Sequence, residues 1–215
     1  MKIHAIEFAR SSLPESMVLA GGAADRHLKI TFLLYVIEMA DRKILIDAGC
    51  DDLPGFDMRD FIRPDDALRN YGIAPETITD VIITHAHHDH IDGLRHFPKV
   101  RVYIQATEFA KGLSYIPDDA VVITFRDRYK LADGITIQCI GGHTAGSSIV
   151  LVKNGDKQYI FGGDEIYHPI CLKTNIPTGT SHNPKNSADF LQIVRNCNAQ
   201  LLLTHDPNIS SGIII

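Results

Sequence analysis

The residues best suited to chemistry are concentrated in one stretch, His85-Ala-His87-His88-Asp89-His90, which follows directly on the apolar run Asp80-Val-Ile-Ile-Thr84. Imidazole and carboxylate groups at such offsets are metal donors. In an extended segment alternate side chains point the same way, so His85 and His87 can converge on one ion. A chain turning into a helix at Asp89 and His90 can direct those two at a second. His88 lies on the opposite alternation and is expected to support its neighbours or to face solvent. Further donors stand at the ends of apolar runs: His143 in Gly141-Gly-His-Thr144, Asp164 in Phe161-Gly-Gly-Asp164 and His205 in Leu201-Leu-Leu-Thr-His205. An α/β scaffold presents its site residues at such ends. The mixed donor set suits Zn²⁺ first, with Fe²⁺, Mn²⁺ or Co²⁺ as alternatives.

The elements that must position these residues are mostly strands. Runs rich in apolar and β-branched residues recur at 2–8, 28–39, 43–47, 80–84, 100–105, 121–125, 135–140, 147–153, 158–162 and 200–204, punctuated by Gly, Asp, Asn and Pro. Helices are expected over 64–71, where Pro64 opens and Gly72 closes the pattern, and over 89–96, 106–113 and 187–198. Strands covered on their outer faces by helices predict an α/β sandwich in a single domain over residues 1–215. The stretches 9–27, 48–63 and 165–185 read as long loops. Their apolar residues, among them Leu13, Met17, Leu53, Phe56, Ile166, Ile170 and Leu172, are candidates for the walls of a binding site.

Composition excludes several classes. With 45 % apolar and 22 % charged residues the chain is an ordinary globular protein, and a net charge of −5 gives no footprint for nucleic acid or an anionic membrane. The opening Met1-Lys-Ile-His-Ala-Ile-Glu-Phe8 alternates like a strand and lacks the pattern of a signal peptide. Cys50, Cys139, Cys171 and Cys197 form no C-x-x-C pair, which favours reduced thiols and a cytoplasmic location. His4, His27, His96, His168 and His182 have no partner spacing and are expected in structural or exposed roles.

Taken in order, the motifs resemble the metallo-β-lactamase superfamily. They are a strand ending in Ile44-Leu-Ile-Asp47, the Thr84-His-x-His-x-Asp-His90 loop, Gly142-His-Thr144, Gly163-Asp164 and the late His205. The resemblance implies a four-layer αβ/βα sandwich. It implies His85, His87 and His143 on one metal, Asp89, His90 and His205 on a second, Asp164 bridging the two, and Asp47 supporting the His loop without touching metal. His87 stands where the superfamily's di-iron flavoproteins carry Glu, which favours hydrolysis over electron transfer. Asp164, together with the unsecreted start, argues against an antibiotic-hydrolysing member. Residues 206–215 leave no room for the helical domain by which glyoxalase II holds glutathione. Within the superfamily the chain is most similar to the N-acyl homoserine lactone lactonases, which carry a Tyr three residues after the bridging Asp; Tyr167 takes that place here.

The expected reaction is opening of a lactone or related ester, a small-molecule substrate. Two divalent ions about 3.5–4 Å apart would present hydroxide as the nucleophile at neutral pH. Tyr167 would polarise the carbonyl, and Asp89 or Asp164 would carry the proton to the leaving alkoxide. The rival readings are a thioester or phosphodiester hydrolase on the same site, and a metal-binding regulatory module without catalysis. Oligomeric state is left open.

Overall fold

Thr31 to Ile37 are buried without interruption, a pattern that arises when a strand has cover on both faces. The computed structural model, which describes residues 1–215, shows what the two covers are. Residues 27–38 form strand β2 (His27–Glu38) in a seven-stranded sheet. Its order is β12 (Gly212–Ile213), β1 (Lys2–Pro14), β2, β3 (Lys43–Ile46), β4 (Asp80–Ile83), β5 (Arg101–Gln105) and β6 (Val121–Phe125). Strands β3 to β6 run parallel and the rest pair antiparallel. A second, five-stranded sheet has the order β11 (Gln200–Leu202), β10 (Lys157–Phe161), β9 (Ser148–Asn154), β8 (Ile135–Cys139) and β7 (Arg128–Ala132).

The sheets pack face to face through side chains such as Leu33, Tyr35 and Ile82 from the first and Ile137, Val150 and Phe161 from the second. On the outer faces, α2 (Pro64–Tyr71) contributes Leu68, and α6 (Pro184–Asn196) contributes Phe190 and Leu191, to another apolar cluster. Helix, sheet, sheet and helix are therefore stacked as the four-layer sandwich that the motifs implied. No helix is long and apolar enough to cross a membrane.

Several boundaries differ from the sequence reading. Strand β1 runs to Pro14 and pairs with β2 along its whole length, and the single-turn helix α1 (Glu15–Val18) follows it, so only part of 9–27 is loop. A β-bulge between Glu7 and Ala9 shifts the alternation by one residue, which is why the polar Arg10-Ser-Ser12 looked unlike a strand. Strand β7, unexpected from sequence, is a half-exposed edge strand whose polar residues carry no core signal. The stretch 165–185 contains the short helix α5 (Pro169–Thr174), and α6 starts at Pro184 with Asn183 as its N-cap. The expected helix 89–96 divides into α3 (His88–Ile91) and a 3₁₀ turn over Asp92–His96.

Candidate metal centre

The topology gathers the donors on one rim. Asp47 follows β3, the 84–90 loop follows β4, Asp164 follows β10 and His205 follows β11, each at a strand's C-terminal end. His143 lies in the turn between β8 and β9. The two sheets touch along this rim, where the Ser148 N–H donates to the Thr84 carbonyl at 2.9 Å.

All seven candidates come together, in two groups. Ring nitrogens of His85, His87 and His143 and a carboxylate oxygen of Asp164 lie within 4.8 Å of one another, as do donor atoms of Asp89, His90 and His205. His87 Nδ1 is 3.0 Å from His85 Nε2 and 2.9 Å from His143 Nε2. Asp164 faces both groups with different oxygens. Its Oδ2 is 3.7 Å from His85 Nε2 and 3.5 Å from His143 Nε2. Its Oδ1 is 3.2 Å from His90 Nε2 and 3.4 Å from His205 Nε2. Asp89 Oδ2 completes the second group at 3.6 Å from each of those two nitrogens.

Each ring that presents Nε2 has its Nδ1 occupied. His143 Nδ1 can donate to the Thr180 carbonyl at 2.7 Å, and His205 Nδ1 to the Thr31 carbonyl at 2.9 Å. His90 Nδ1 can donate to Asp47 Oδ2 at 2.8 Å, and His85 Nδ1 to Thr84 Oγ1 at 3.1 Å. Thr84 Oγ1 in turn donates to Asp47 Oδ2 at 2.9 Å, and the Thr84 N–H donates to Oδ1 at 2.7 Å. Asp47 thus orients His90 directly and His85 through one hydroxyl, and holds a left-handed backbone (φ 57°) to do so.

Burial, reinforced by neighbouring imidazoles, holds His85 well below the usual imidazole value and lowers His87, so both keep a free lone pair. Although burial opposes it, Asp164 is held well below the carboxylate range by His90 and His205. Inside this group the buried atoms His90 Nε2, His205 Nε2 and Asp164 Oδ1 have no hydrogen-bond partner. Buried polar atoms are almost always satisfied. Although burial opposes it, Asp164 and Asp89 raise both His90 and His205, so this pocket favours positive charge. A cation held by the two neutral rings and the carboxylate would supply it in place of protons. The residues therefore fit a divalent ion.

Tyr167 is 7 % exposed, edge-on to His143 and stacked on His205 at ring separations of 5.5 and 5.4 Å. Burial and the carboxylates of Asp164 and Asp89 hold its phenol well above the ordinary value, so it keeps its proton. The donors open onto a cleft of about 180 Å³ walled by Leu13, Met17, Ile30, Phe32, Leu53 and Phe56. Of the apolar residues expected there, Ile166, Ile170 and Leu172 instead pack in or against the core. His88 sits beside the site, between Asp52 and the Tyr115 hydroxyl. His168 caps α5 by accepting from the Ile170 N–H.

The sequence reading missed two buried glutamates. Glu165 accepts from the backbone N–H groups of Gly142 and His143 and from the Ser147 hydroxyl, and burial pushes it up to about 7. Its place beside Asp164 was a usable signal. Glu108 reaches the site from α4 (Ala106–Gly112), with no motif around it.

A family model described as metallo-beta-lactamase superfamily matches residues 33–202. A hydroxyacylglutathione hydrolase of Salmonella paratyphi A (strain ATCC 9150 / SARB42) is 31 % identical over 109 residues, 49 % of this chain and 39 % of its own length. The N-acyl homoserine lactonase AiiB of Agrobacterium fabrum (strain C58 / ATCC 33970) is 22 % identical over 139 residues, 53 % of this chain and 50 % of its own. The chain thus matches half or less of the length of these relatives. Among solved structures, an N-acyl homoserine lactone hydrolase with N-hexanoyl-L-homoserine at its catalytic metal centre superposes with a TM-score of 0.83. It is 18 % identical, with 96 % of this chain and 93 % of that one covered. The dizinc quorum-quenching lactonase AidC gives 0.80 at 16 % identity, covering 98 % and 89 %.

Proposed function

Since the chain belongs to the metallo-beta-lactamase superfamily, and its two donor groups meet at one shared carboxylate, we propose that it is a dinuclear metal-dependent hydrolase that opens a lactone or related ester. The observation that carries this reading is the division of Asp164, one oxygen turned to His85 and His143 and the other to His90 and His205. His85, His87 and His143 would hold one ion and Asp89, His90 and His205 the other. Zn²⁺ fits these donors best, and Fe²⁺, Mn²⁺ or Co²⁺ could replace it. Two such ions, when bound, polarise a carbonyl oxygen and make a water nucleophilic at neutral pH.

The chain's own groups supply the rest. The protonated phenol of Tyr167 borders the cleft and can donate to a carbonyl oxygen as negative charge develops on it. Asp89, whose side chain is 17 % exposed, lies where a proton can pass to the leaving alkoxide, with Asp164 as the alternative carrier. Leu13, Met17, Leu53 and Phe56 exclude water and suit an acyl tail. Residues 1–215 act in this reading as one domain, supported by the return of β12 to pair with β1.

Lactones are favoured as substrate by AiiB and by the product-bound lactone hydrolase among the similar structures. A thioester is the second reading, favoured by the 31 % identity to hydroxyacylglutathione hydrolase. The test is a panel of N-acyl homoserine lactones of graded chain length, an acylglutathione thioester and an aryl phosphodiester, run on Zn²⁺-, Co²⁺- and Mn²⁺-loaded protein. Chelator-sensitive lactone turnover is expected to exceed the others. Thioester turnover alone would select the second reading, and stoichiometric metal with no turnover of any substrate would favour a regulatory module.

A further inference from the structure

Glu108 is 1 % exposed, and its carboxylate makes three hydrogen bonds, none of them within its own helix. Oε2 accepts from the Ala86 N–H at 2.9 Å, the peptide between His85 and His87. Oε1 accepts from Thr144 Oγ1 at 2.8 Å and from the Gly146 N–H at 2.9 Å, in the loop that carries His143. A Glu at the third position of a helix ordinarily turns back to cap that helix. In α4 the capping acceptor is the Gln105 side chain, which takes the Thr107 and Glu108 N–H groups. The Glu108 carboxylate, with Lys111 Nζ of its own helix 3.7 Å from Oε1, makes its hydrogen bonds to other loops. The 142–147 loop also passes so close that a Cβ on Gly146 would sit 2.9 Å from Glu108 Cγ and 2.3 Å from Gln105 Oε1.

The two loops it joins come from different sheets, one following β4 and the other preceding β9. We propose that Glu108 is a positioning residue that fixes the spacing of His85 and His87 against His143, and thereby sets the affinity of the three-histidine site alone. The proposal rests on the dinuclear reading above. It reaches the first donor group directly, because its contact in the 84–90 loop is the peptide between His85 and His87, whereas Asp89 and His90 lie further on in α3 and His205 follows β11.

The test is chelator competition on full-length protein, with the apo melting temperature measured in parallel. His85→Ala and His205→Ala serve as markers for loss of the first and second ion. Glu108→Ala is expected to weaken the ion marked by His85→Ala by about tenfold or more, the usual loss on removing an outer hydrogen-bond partner, while the other ion keeps its affinity. Glu108→Gln keeps the side chain's size and one acceptor oxygen, so it guards against failure to fold; it should weaken the same ion, though less, because its NH₂ would face the Ala86 N–H. Gly146→Ala should reproduce the pattern. Parental affinity for both ions in Glu108→Gln and Glu108→Ala overturns the proposal, and so does equal weakening of both ions in step with a lower melting temperature. Parental protein that takes up no metal would overturn the dinuclear reading, and this proposal with it.

Discussion

Asp47 is the residue whose replacement should do most damage to the site without touching an ion. It is 2 % exposed and accepts from the Thr84 N–H, the Thr84 hydroxyl and His90 Nδ1, at 2.7, 2.9 and 2.8 Å. In Asp47→Ala the hydroxyl can turn elsewhere, but the Thr84 N–H and His90 Nδ1–H lose their acceptor in a site that water does not reach. Each such group costs about 1–3 kcal/mol, so a stability loss of about 2–6 kcal/mol is expected. Metal affinity should fall by roughly 10–100-fold, which is about 1.4–2.8 kcal/mol. Both ions should be affected, because Asp47 reaches His90 directly and His85 through Thr84.

Asp47→Asn is the sharper variant. Asn tolerates the left-handed backbone that Asp47 adopts (φ 57°), so the main chain is undisturbed. If its carbonyl takes the Thr84 N–H, its NH₂ faces His90, whose Nδ1 must then accept. That moves the imidazole proton to Nε2, the nitrogen turned to Asp164 and Asp89, where it blocks coordination. Asn should therefore fail to rescue the second ion although it is nearly isosteric. Chelator competition on the parent and both variants, with apo stability from urea unfolding, reads these effects separately. Parental affinity for both ions in Asp47→Asn would refute the tautomer reasoning.

Elemental analysis of metal-replete protein should give two ions per chain, and His85→Ala or His205→Ala should each lower that count and abolish hydrolysis; full activity in either variant removes that residue from the site. Tyr167→Phe should lower lactone kcat by roughly 10²-fold with metal content unchanged, and an unaltered rate would discard its role as a donor. Away from the site, Asp80 is fully buried, and although burial opposes it, bonds from Arg101 and Thr79 hold it below the usual carboxylate value. Its contribution to stability is present above the unfolded value of about 3.9 and is lost as pH falls through the lower native value. Arg101→Met leaves that buried carboxylate with only the hydroxyls of Thr79 and Tyr103, which should cost about 1–3 kcal/mol at pH 7. Its native pKa then rises above the unfolded one, so the deficit should shrink as pH falls toward 4, as followed by urea unfolding across pH. A deficit that does not change with pH would show that the pair is not what holds Asp80.

How far the sequence was legible depends on where each signal is stored. The donors could be read because His85, His87, Asp89 and His90 share one loop, and because His143, Asp164 and His205 each close an apolar run. The core strands could be read because Phe32–Ile37 of β2 and Val81–Ile83 of β4 are covered on both faces and so form unbroken apolar runs. What could not be read lies in pairing partners. The far half of β1 is a strand only because β2 lies beside it across a bulge, and β7 is an edge whose Arg128 and Lys130 mark no core face. Glu108 is a single acidic residue on a short helix. Its neighbours across space, Ala86 and Gly146, are set by the meeting of two sheets, which no local pattern records. The apolar wall was half legible for the same reason: Leu13 and Phe56 face the cleft, whereas Ile166 turns into the core.

The linear order of the donors also has a consequence for biosynthesis. A chain emerging from its N-terminus and folding as it emerges completes the first donor group once Asp164 has been made, whereas the second waits for His205. With His205 come the contacts that hold residues 203–206 to β2: the Tyr35 hydroxyl on the Leu203 carbonyl, the Leu33 N–H on that of Thr204, and the Thr31 hydroxyl on that of Asp206. The segment that closes the sandwich is therefore the one that closes the second donor group. A nascent chain arrested between residues 164 and 205 would carry every donor of the three-histidine group and lack one of the other, so the order of translation fixes which donor group is complete first.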